Sequence, residues 1–475
     1  MIEIAAQRLG SVTGARVVVD ARDRVCRGCV IDSRQVERDT VFVAFPGEKV
    51  DGNDYAASAI EAGAGAVVMT REPDAALVSA ATENGCGLLV CDDPTEFLLA
   101  LAHDYRLGLD ARVIGVTGSI GKTTTKDVMA ELLRRRFRVW VTKGNYNNLI
   151  GMPLTILSAP ADTEVMILEM GMNHPGEIDR LTRCAEPSIA VITKVGTSHI
   201  GLLGSRENIA RAKAEIVAGM RPMAPGETPL LVLGGGDDFT PFIVDTFARP
   251  AGVETLTVGS GASDAVRFED VRIDEFGYPL FTMVGEDGER TETKLSIPGA
   301  QSVQNALYGA AIAMRLGLTA PEVDETFRDL HVTGRRQEIR RAAVGARVID
   351  DSYNASPESM AAGMDLLFRL ECEGGRIAVL GEMGELGDEA RRLHELTGAY
   401  VAAKKPDLFV AVGGENARAM ADAAKLMGLD EDVVCVVPDW KTALDRFGSA
   451  IGASDLVLVK GSRFVELDRF VEGVC

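Results

Sequence analysis

At 475 residues, with 46% hydrophobic and 25% charged side chains, the chain exceeds what one hydrophobic core organises and has the composition of an ordered globular protein; at roughly 100–200 residues per domain, three domains are expected. A formal charge of -20 argues against a nucleic-acid partner, because such binding draws on clustered Lys and Arg. The opening MIEIAAQRLG lacks the apolar core of a signal peptide and no apolar run approaches the ~20 residues of a membrane span, so a cytoplasmic protein without a membrane span is expected.

Residues 1–108 alternate short apolar runs (VFVAFPG, AGAVVM, GLLVCD) with helical stretches (DYAASAIEAGAG, TEFLLALAHDYRLG), the pattern of a small α/β domain. Here lies the one C-x-x-C pair among eight cysteines, Cys26 and Cys29. A structural zinc site wants four ligands and a redox dithiol wants a strand-to-helix turn, whereas this pair precedes the strand-like CVIDSR; reduced thiols are the expectation.

From 109 to 332 the pattern restarts with RVIGV, a buried-strand signal, followed by a Gly-rich turn and the amphipathic TTTKDVMAELLRRRF. EVMILEMG and SIAVITKVG are further buried strands, as in a mostly parallel sheet covered by helices on both faces. Residues 266–297 alternate polar and apolar side chains around Phe-Gly and Asp-Gly turns, which predicts antiparallel hairpins attached to that sheet. The helix VQNALYGAAIAMRLG then ends at a C-capping Gly317. Residues 333–475 carry five strand runs, RVIDDS, RIAVLGE, LFVAVGG, VVCVVPD and DLVLVKG, separated by helical patterns. The expected fold class is therefore α/β in three domains: a small N-terminal unit, a central P-loop-type, mostly parallel sheet, and a C-terminal Rossmann-like, doubly wound unit.

The most informative segment is G-V-T-G-S-I-G-K-T-T-T at 115–125, between a strand and a helix. Glycines at 118 and 121 let successive backbone N–H groups point at phosphate oxygens, Lys122 adds a cation, Thr123 offers Mg2+ a hydroxyl, and the helix N-terminus adds its dipole. Gly118, Ser119, Ile120, Gly121, Lys122, Thr123 and Thr124 are the expected nucleotide cradle. Val116 stands where the general phosphate-loop pattern has its first glycine. Such a loop predicts a nucleoside triphosphate, not the use made of it.

With that loop, further motifs run in order through nearly the whole chain: IDSRQV and FVAFPGEKVDGNDY; GNYNNLIGMPLTIL, EMGMNHPGEI, ITKVGTSHIGLLGS and AKAEI; DDSYNASPESM, LGEMGELG and VLVKGSR. Together they resemble the Mur ligase family, in which the shortened T-G-x-x-G-K-T loop is the normal form. The resemblance implies an ADP-forming amide ligase of peptidoglycan precursor synthesis. Its motifs are most similar to the branch that joins D-alanyl-D-alanine to a UDP-N-acetylmuramoyl-tripeptide. In that reaction ATP converts a carboxylate to an acyl phosphate, an amine displaces the phosphate, and cations offset the crowding of anions.

Carried over motif by motif, the resemblance assigns Lys122, Glu169, His199 and Lys213 to catalysis. Glu169 would share one Mg2+ with Thr123; His199 and Lys213 would hold a second ion, the lysine after carbamylation by CO2. Without the family, Glu169 reads as a capping or ion-paired carboxylate, His199 as a structural histidine and Lys213 as a lysine on a solvated helix face. Asn305, in GAQSVQNA, stands at the family's adenine contact, with Gln301 and Ser302 where His and Asn are usual. Arg336, in TGRRQ, and Asp351, in DDSYN, would reach ribose and phosphate from the third domain; their plain reading is surface charge in a linker and at a strand end. Ser33, Arg34 and Gly47, with Asp51 and Gly52, would hold the uridine diphosphate. Asn145, Asn147 and Asn148 would line the muramoyl-peptide path, where amides both donate and accept, although a turn-forming role competes for Asn147. A monomer is expected.

Two other readings stay open from sequence. The ligase adding the third amino acid shares the first-domain motif but typically carries D-N-P-R in its last domain, a tetrapeptide missing here. A non-ligating P-loop ATPase switch would need neither a UDP-sugar domain nor the set Glu169, His199 and Lys213.

Overall fold

The computed structural model describes residues 1–475 except Glu48, His331, Thr333, Arg335 and Arg336. In the first unit, strands Cys29–Val30, Val41–Val43, Ala66–Met69 and Gly87–Val90 run parallel, and Arg16–Val19 pairs antiparallel with the last. A two-stranded ribbon, Glu3–Ala5 with Val25–Arg27, lies beside this sheet. Three-residue strands are too short to show a period, so this ribbon was not expected. Cys26 lies on the ribbon and Cys29 on the sheet; burial pushes both thiols up to about 12, which leaves them poor nucleophiles and metal ligands at neutral pH.

Helix Pro94–Leu107 joins the first unit to the central one. Asp93 caps it by accepting the Thr95 N–H, and Pro94 fits its first turn, where an N–H would be orphaned anyway. Its apolar face, including Phe97, Leu98 and Leu101, shares one core with helices Gly151–Leu157 and Glu177–Ala185. Arg106 donates to Ala185 O at 2.8 Å, Tyr105 Oη to Ala159 O at 2.8 Å, and Arg180 pairs with Glu96.

The central sheet has nine strands in the order Arg290–Lys294, Pro279–Val284, Val266–Ile273, Glu254–Gly259, Leu230–Gly234, Ile189–Ile192, Arg112–Thr117, Val165–Glu169 and Val139–Val141. The last seven are parallel. The first two turn antiparallel, as the alternation over 266–297 predicted. Strand Val165–Glu169 is buried along its whole length between two parallel neighbours, which is why it reads as an unbroken apolar run. Helix Gln301–Arg315 crosses helix Lys122–Leu133 at Gly309, where a Cβ would come within 3.1 Å of Val128 Cγ1. Gly317, at φ +95°, ends it in the left-handed turn expected after a helix.

The third unit is a six-stranded sheet in the order Glu338–Arg341, Arg347–Asp351, Leu456–Lys460, Arg376–Gly381, Leu408–Val412 and Val434–Val437, parallel except for the first strand. All five strand runs read from the sequence are present. The carboxyl ends of its central strands face the phosphate loop of the central sheet, placing loops of both units around one space.

Candidate active site

The phosphate loop leaves strand Arg112–Thr117 and enters helix Lys122–Leu133. Gly118 (φ +146°) and Gly121 (φ +88°) are required there. A Cβ would lie 1.9 Å from Thr193 Oγ1 at the first and 2.2 Å from Asn305 Oδ1 at the second. Thr193 Oγ1 donates to Ile120 O at 2.6 Å and Ser119 N–H to Lys194 O at 2.7 Å, so the neighbouring strand end braces the loop. Lys122 Nζ folds back onto Gly118 O at 2.7 Å.

Glu169, at the end of the adjacent strand, is buried. Its Oε2 accepts from Thr123 Oγ1 at 2.8 Å and its Oε1 from Asn147 Nδ2 at 2.9 Å. Its own N–H donates to Thr142 Oγ1 at 3.0 Å, and the buried Lys126 anchors Thr142 O at 2.9 Å. One carboxylate and one hydroxyl thus meet directly behind the phosphate loop, with an amide holding the carboxylate's second oxygen.

These groups open into a cavity of about 900 Å3 between the central and third units. Gly121, Lys122, Thr123, Thr124, Glu169, His199 and Asn305 line it from the central unit, and Asn145, Asn147 and Asn148 from the following loop. The third unit contributes Asp351, Tyr353, Asn354, Glu358, Glu385, Lys460 and Arg463. Asp351 and Lys460 sit on paired strands and form a buried ion pair at 2.7 Å. His199, at φ +65°, has Nδ1 2.7 Å from Glu385 Oε2, a contact angled outside hydrogen-bond geometry. His199 and, at longer range, Lys122 hold the Glu385 carboxyl below the usual range. A second chamber of about 580 Å3 shares Ser119, Lys122, His199 and Glu385 with the first and continues to Leu386, Arg463 and Phe464.

Three family descriptions match the chain in order: Mur ligase family, catalytic domain, at 26–106; Mur ligase middle domain at 116–313; and Mur ligase, glutamate ligase domain, at 334–463. The UDP-N-acetylmuramoyl-tripeptide–D-alanyl-D-alanine ligase of Bacillus subtilis is 37% identical over 94% of this chain and 93% of its own. The chain belongs to the Mur ligase family. The crystal structure of MurF from Acinetobacter baumannii matches this Mur ligase with a TM-score of 0.87 at 28% identity, covering 99% of this chain and 98% of that one. MurF from Thermotoga maritima in complex with ADP matches with a TM-score of 0.80 at 27% identity, covering 94% and 96%.

Against the family motifs, the geometry of this Mur ligase brings some residues together and sets others apart. Lys213, on helix Arg206–Ala214, is buried rather than solvated and lies behind the cavity wall. No carboxylate lies within ion-pair reach of it among the described residues. Burial, with Lys122 nearby, pushes its ammonium well below the usual range. Among the described residues, no three His, Cys, Asp or Glu side chains converge on a metal position. Asn148 serves its own chain, its Oδ1 accepting from Gly151 N–H at 2.8 Å to start helix Gly151–Leu157. Asn147 turns the loop with its backbone, the competing role weighed for it, and its amide holds Glu169, a contact neither sequence reading anticipated.

Gln301 donates to Gln337 across to the third unit, and Ser302 Oγ donates to Gly299 O at 2.6 Å in the turn before its own helix. Arg336 lies outside the described residues. Ser33, Arg34 and Gly47 stand apart from the cavity, just beyond the carboxyl ends of the adjacent parallel strands Cys29–Val30 and Val41–Val43, where ligands bind in open α/β sheets. The Arg34 guanidinium, 2.6 Å from Asp32, holds that carboxyl at about 2. Glu358, Glu385, Lys460 and Arg463 lie within the third-unit sequence motifs but were not among the expected site residues. A charged residue just past a strand end in a doubly wound unit was the available signal.

Proposed function

We propose that this chain is the cytoplasmic ATP-dependent ligase that adds D-alanyl-D-alanine to UDP-N-acetylmuramoyl-tripeptide, releasing ADP and phosphate. One observation carries the reading: a chain matched end to end by D-alanyl-D-alanine ligases places Lys122, Thr123 and Glu169 on one wall of a cavity whose other wall comes from a second α/β unit. In this reading residues 1–108 bind the UDP-sugar through Ser33, Arg34 and Gly47, residues 109–332 bind ATP, and residues 333–475 close over both.

The donor set behind the loop fits one Mg2+, because Glu169 and Thr123 offer the hard oxygens this ion takes beside phosphate oxygens and water. Bound there, Mg2+ supplies charge neutralisation for the transferring phosphoryl group. The second set fits in part: His199 offers an imidazole, but Lys213 as an ammonium offers nothing. Burial favours its neutral amine, the form that attacks CO2, and the resulting carbamate, formed with release of one proton, would be an anion.

The chain's own groups account for the rest. Lys122 leaves Gly118 O for the phosphates and stabilises charge on the transferring group as the substrate carboxylate attacks. Asn305, pressed against Gly121, orders the loop next to the base site. Closure of the third unit brings Asp351 to the nucleotide and excludes water from the acyl phosphate. The 580 Å3 chamber then suits the zwitterionic dipeptide. Arg463 offers a cation for its carboxylate, Glu385 an anion for its ammonium, and Leu386 and Phe464 apolar surface for its methyl groups.

The test is product formation. With ATP, Mg2+ and UDP-muramoyl-tripeptide, mass spectrometry should show a pentapeptide only when D-alanyl-D-alanine is added. Absence of that mass with every tripeptide tried overturns the reading.

A further inference from the structure

From the third unit, beside the contact of Glu385 with His199, the loop at 194–199 is hydrogen-bonded by Glu358, the second residue of helix Pro357–Arg369. Thr197 N–H donates to Glu358 Oε1 at 2.9 Å and Thr197 Oγ1 to Glu358 Oε2 at 3.1 Å. A glutamate in a first helical turn ordinarily serves its own helix dipole. Here the capping work is done elsewhere, by a reciprocal pair in which Ser356 Oγ accepts the Ser359 N–H and Ser359 Oγ accepts the Ser356 N–H. Glu358 instead sends both oxygens across the domain gap.

The loop it grips backs the phosphate loop and carries His199. On the central-unit side, Val195 N–H donates to Asp237 Oδ2 at 2.8 Å, Val195 O accepts from Arg206 Nη2 at 2.8 Å, and Lys194 O accepts from Ser119 N–H at 2.7 Å. The central unit thus fixes residues 194 and 195, and the grip on residue 197 comes from the third unit. Gly196 allows the approach: a Cβ there would lie 3.0 Å from Glu358 Oε1 and 3.3 Å from Ser119 Cβ.

We propose that Glu358 is a positioning residue, an interdomain clasp that couples seating of the third domain to the placement of the loop bearing His199 against the phosphate loop. Two hydrogen bonds to one carboxylate are charge-assisted and bidentate, the strong and directional kind. The clasp makes the assembled site depend on the closed arrangement and leaves the separate domains intact when it opens.

The kinetic part of the test rests on the ligase reading; the scattering part does not. E358A should lower kcat/KM for ATP and for the dipeptide about 10- to 100-fold, the loss expected for hydrogen bonds to a charged group. Binding of the UDP-substrate alone, and the melting temperature, should stay as in the wild type. E358Q, which keeps one acceptor and gains a donor of the same reach, should recover most of the rate. In a double-mutant cycle, T197V should add little to E358A. Small-angle scattering should show less compaction by an ATP analogue in E358A than in the wild type. An inactive wild type overturns the ligase reading, and the clasp is then decided by scattering. Identical compaction of wild type and E358A, additive effects of the two substitutions, or wild-type kinetics in E358A overturn the clasp.

Discussion

In the proposed reaction the chemistry turns on Lys122, whose ammonium is the one cation of the phosphate loop and lines the cavity. K122A should reduce ligation at least 10²- to 10³-fold, the usual loss for one preorganised donor to a transition-state anion, while its melting temperature stays close to the wild type's. Near-normal turnover would remove the loop from the mechanism. Asn147 acts one layer back: its amide fixes Glu169 Oε1 and leaves Oε2 toward Thr123. N147A should raise the Mg2+ concentration needed for half-maximal rate about 10- to 100-fold, as loss of a group orienting a metal ligand does; an unchanged Mg2+ titration would contradict this. Lys122, Thr123 and Glu169 were legible because spacing and strand ends mark them. The burial of Lys213 was not, since AKAEIV has the composition of a solvated helix and only packing among neighbouring helices hides the lysine.

At the scale of elements, the segment 381–387 shows how the third unit presents Glu385. Glu382 Oε1 accepts from the N–H groups of Gly414, Asn416 and Ala417 at the start of helix Glu415–Leu426, and Gly384 N–H donates to Ser462 Oγ. Met383 N–H donates to His394 Nε2 at 2.9 Å, so Nδ1 carries the proton and donates it to Ala390 O at 2.6 Å. Burial pushes His394 below its ordinary 6.5. The folded chain therefore binds no proton at His394 in a range where the unfolded chain does, and stability falls as pH drops from about 6.5 toward the lowered value. H394Q keeps an acceptor for Met383 and does not titrate. Urea unfolding between pH 7.5 and 5 should show a shallower acid loss for H394Q than for the wild type; equal slopes would remove His394 as the cause. Most buried parallel strands could be read from apolar runs, although Leu230–Gly234 and Glu254–Gly259 of the central sheet were not. Strand Val139–Val141 and the ribbon at residues 3–5 and 25–27 could not, because strands of three residues draw their stability from neighbours rather than from their own pattern.

The whole molecule divides unequally. The first and central units are tied by side-chain bonds from Tyr105, Arg106 and Arg180, and the third unit joins the same buried apolar cluster and adds the contacts of Glu358 with Thr197, Glu385 with His199 and Gln301 with Gln337. In the proposed reaction, motion is expected at the second boundary, where the cavity lies and where the acyl phosphate must be shielded and the amine admitted. The order of domains was legible because each sheet keeps to one stretch of chain; the contacts between them were not, since they join residues that no local pattern links, 161 positions apart for Thr197 and Glu358.

The claim that this site forms an amide with a dipeptide is tested most directly by ADP release from the wild type with UDP-muramoyl-tripeptide and ATP. Release should be slow alone, strongly stimulated by D-alanyl-D-alanine and scarcely by L-alanyl-L-alanine, because a site shaped for one chirality misplaces the other's amine for attack. Rapid ADP release with a UDP-muramoyl-dipeptide and a diamino acid, together with no response to D-alanyl-D-alanine on any tripeptide, would contradict the account and make the chain the ligase of the third residue.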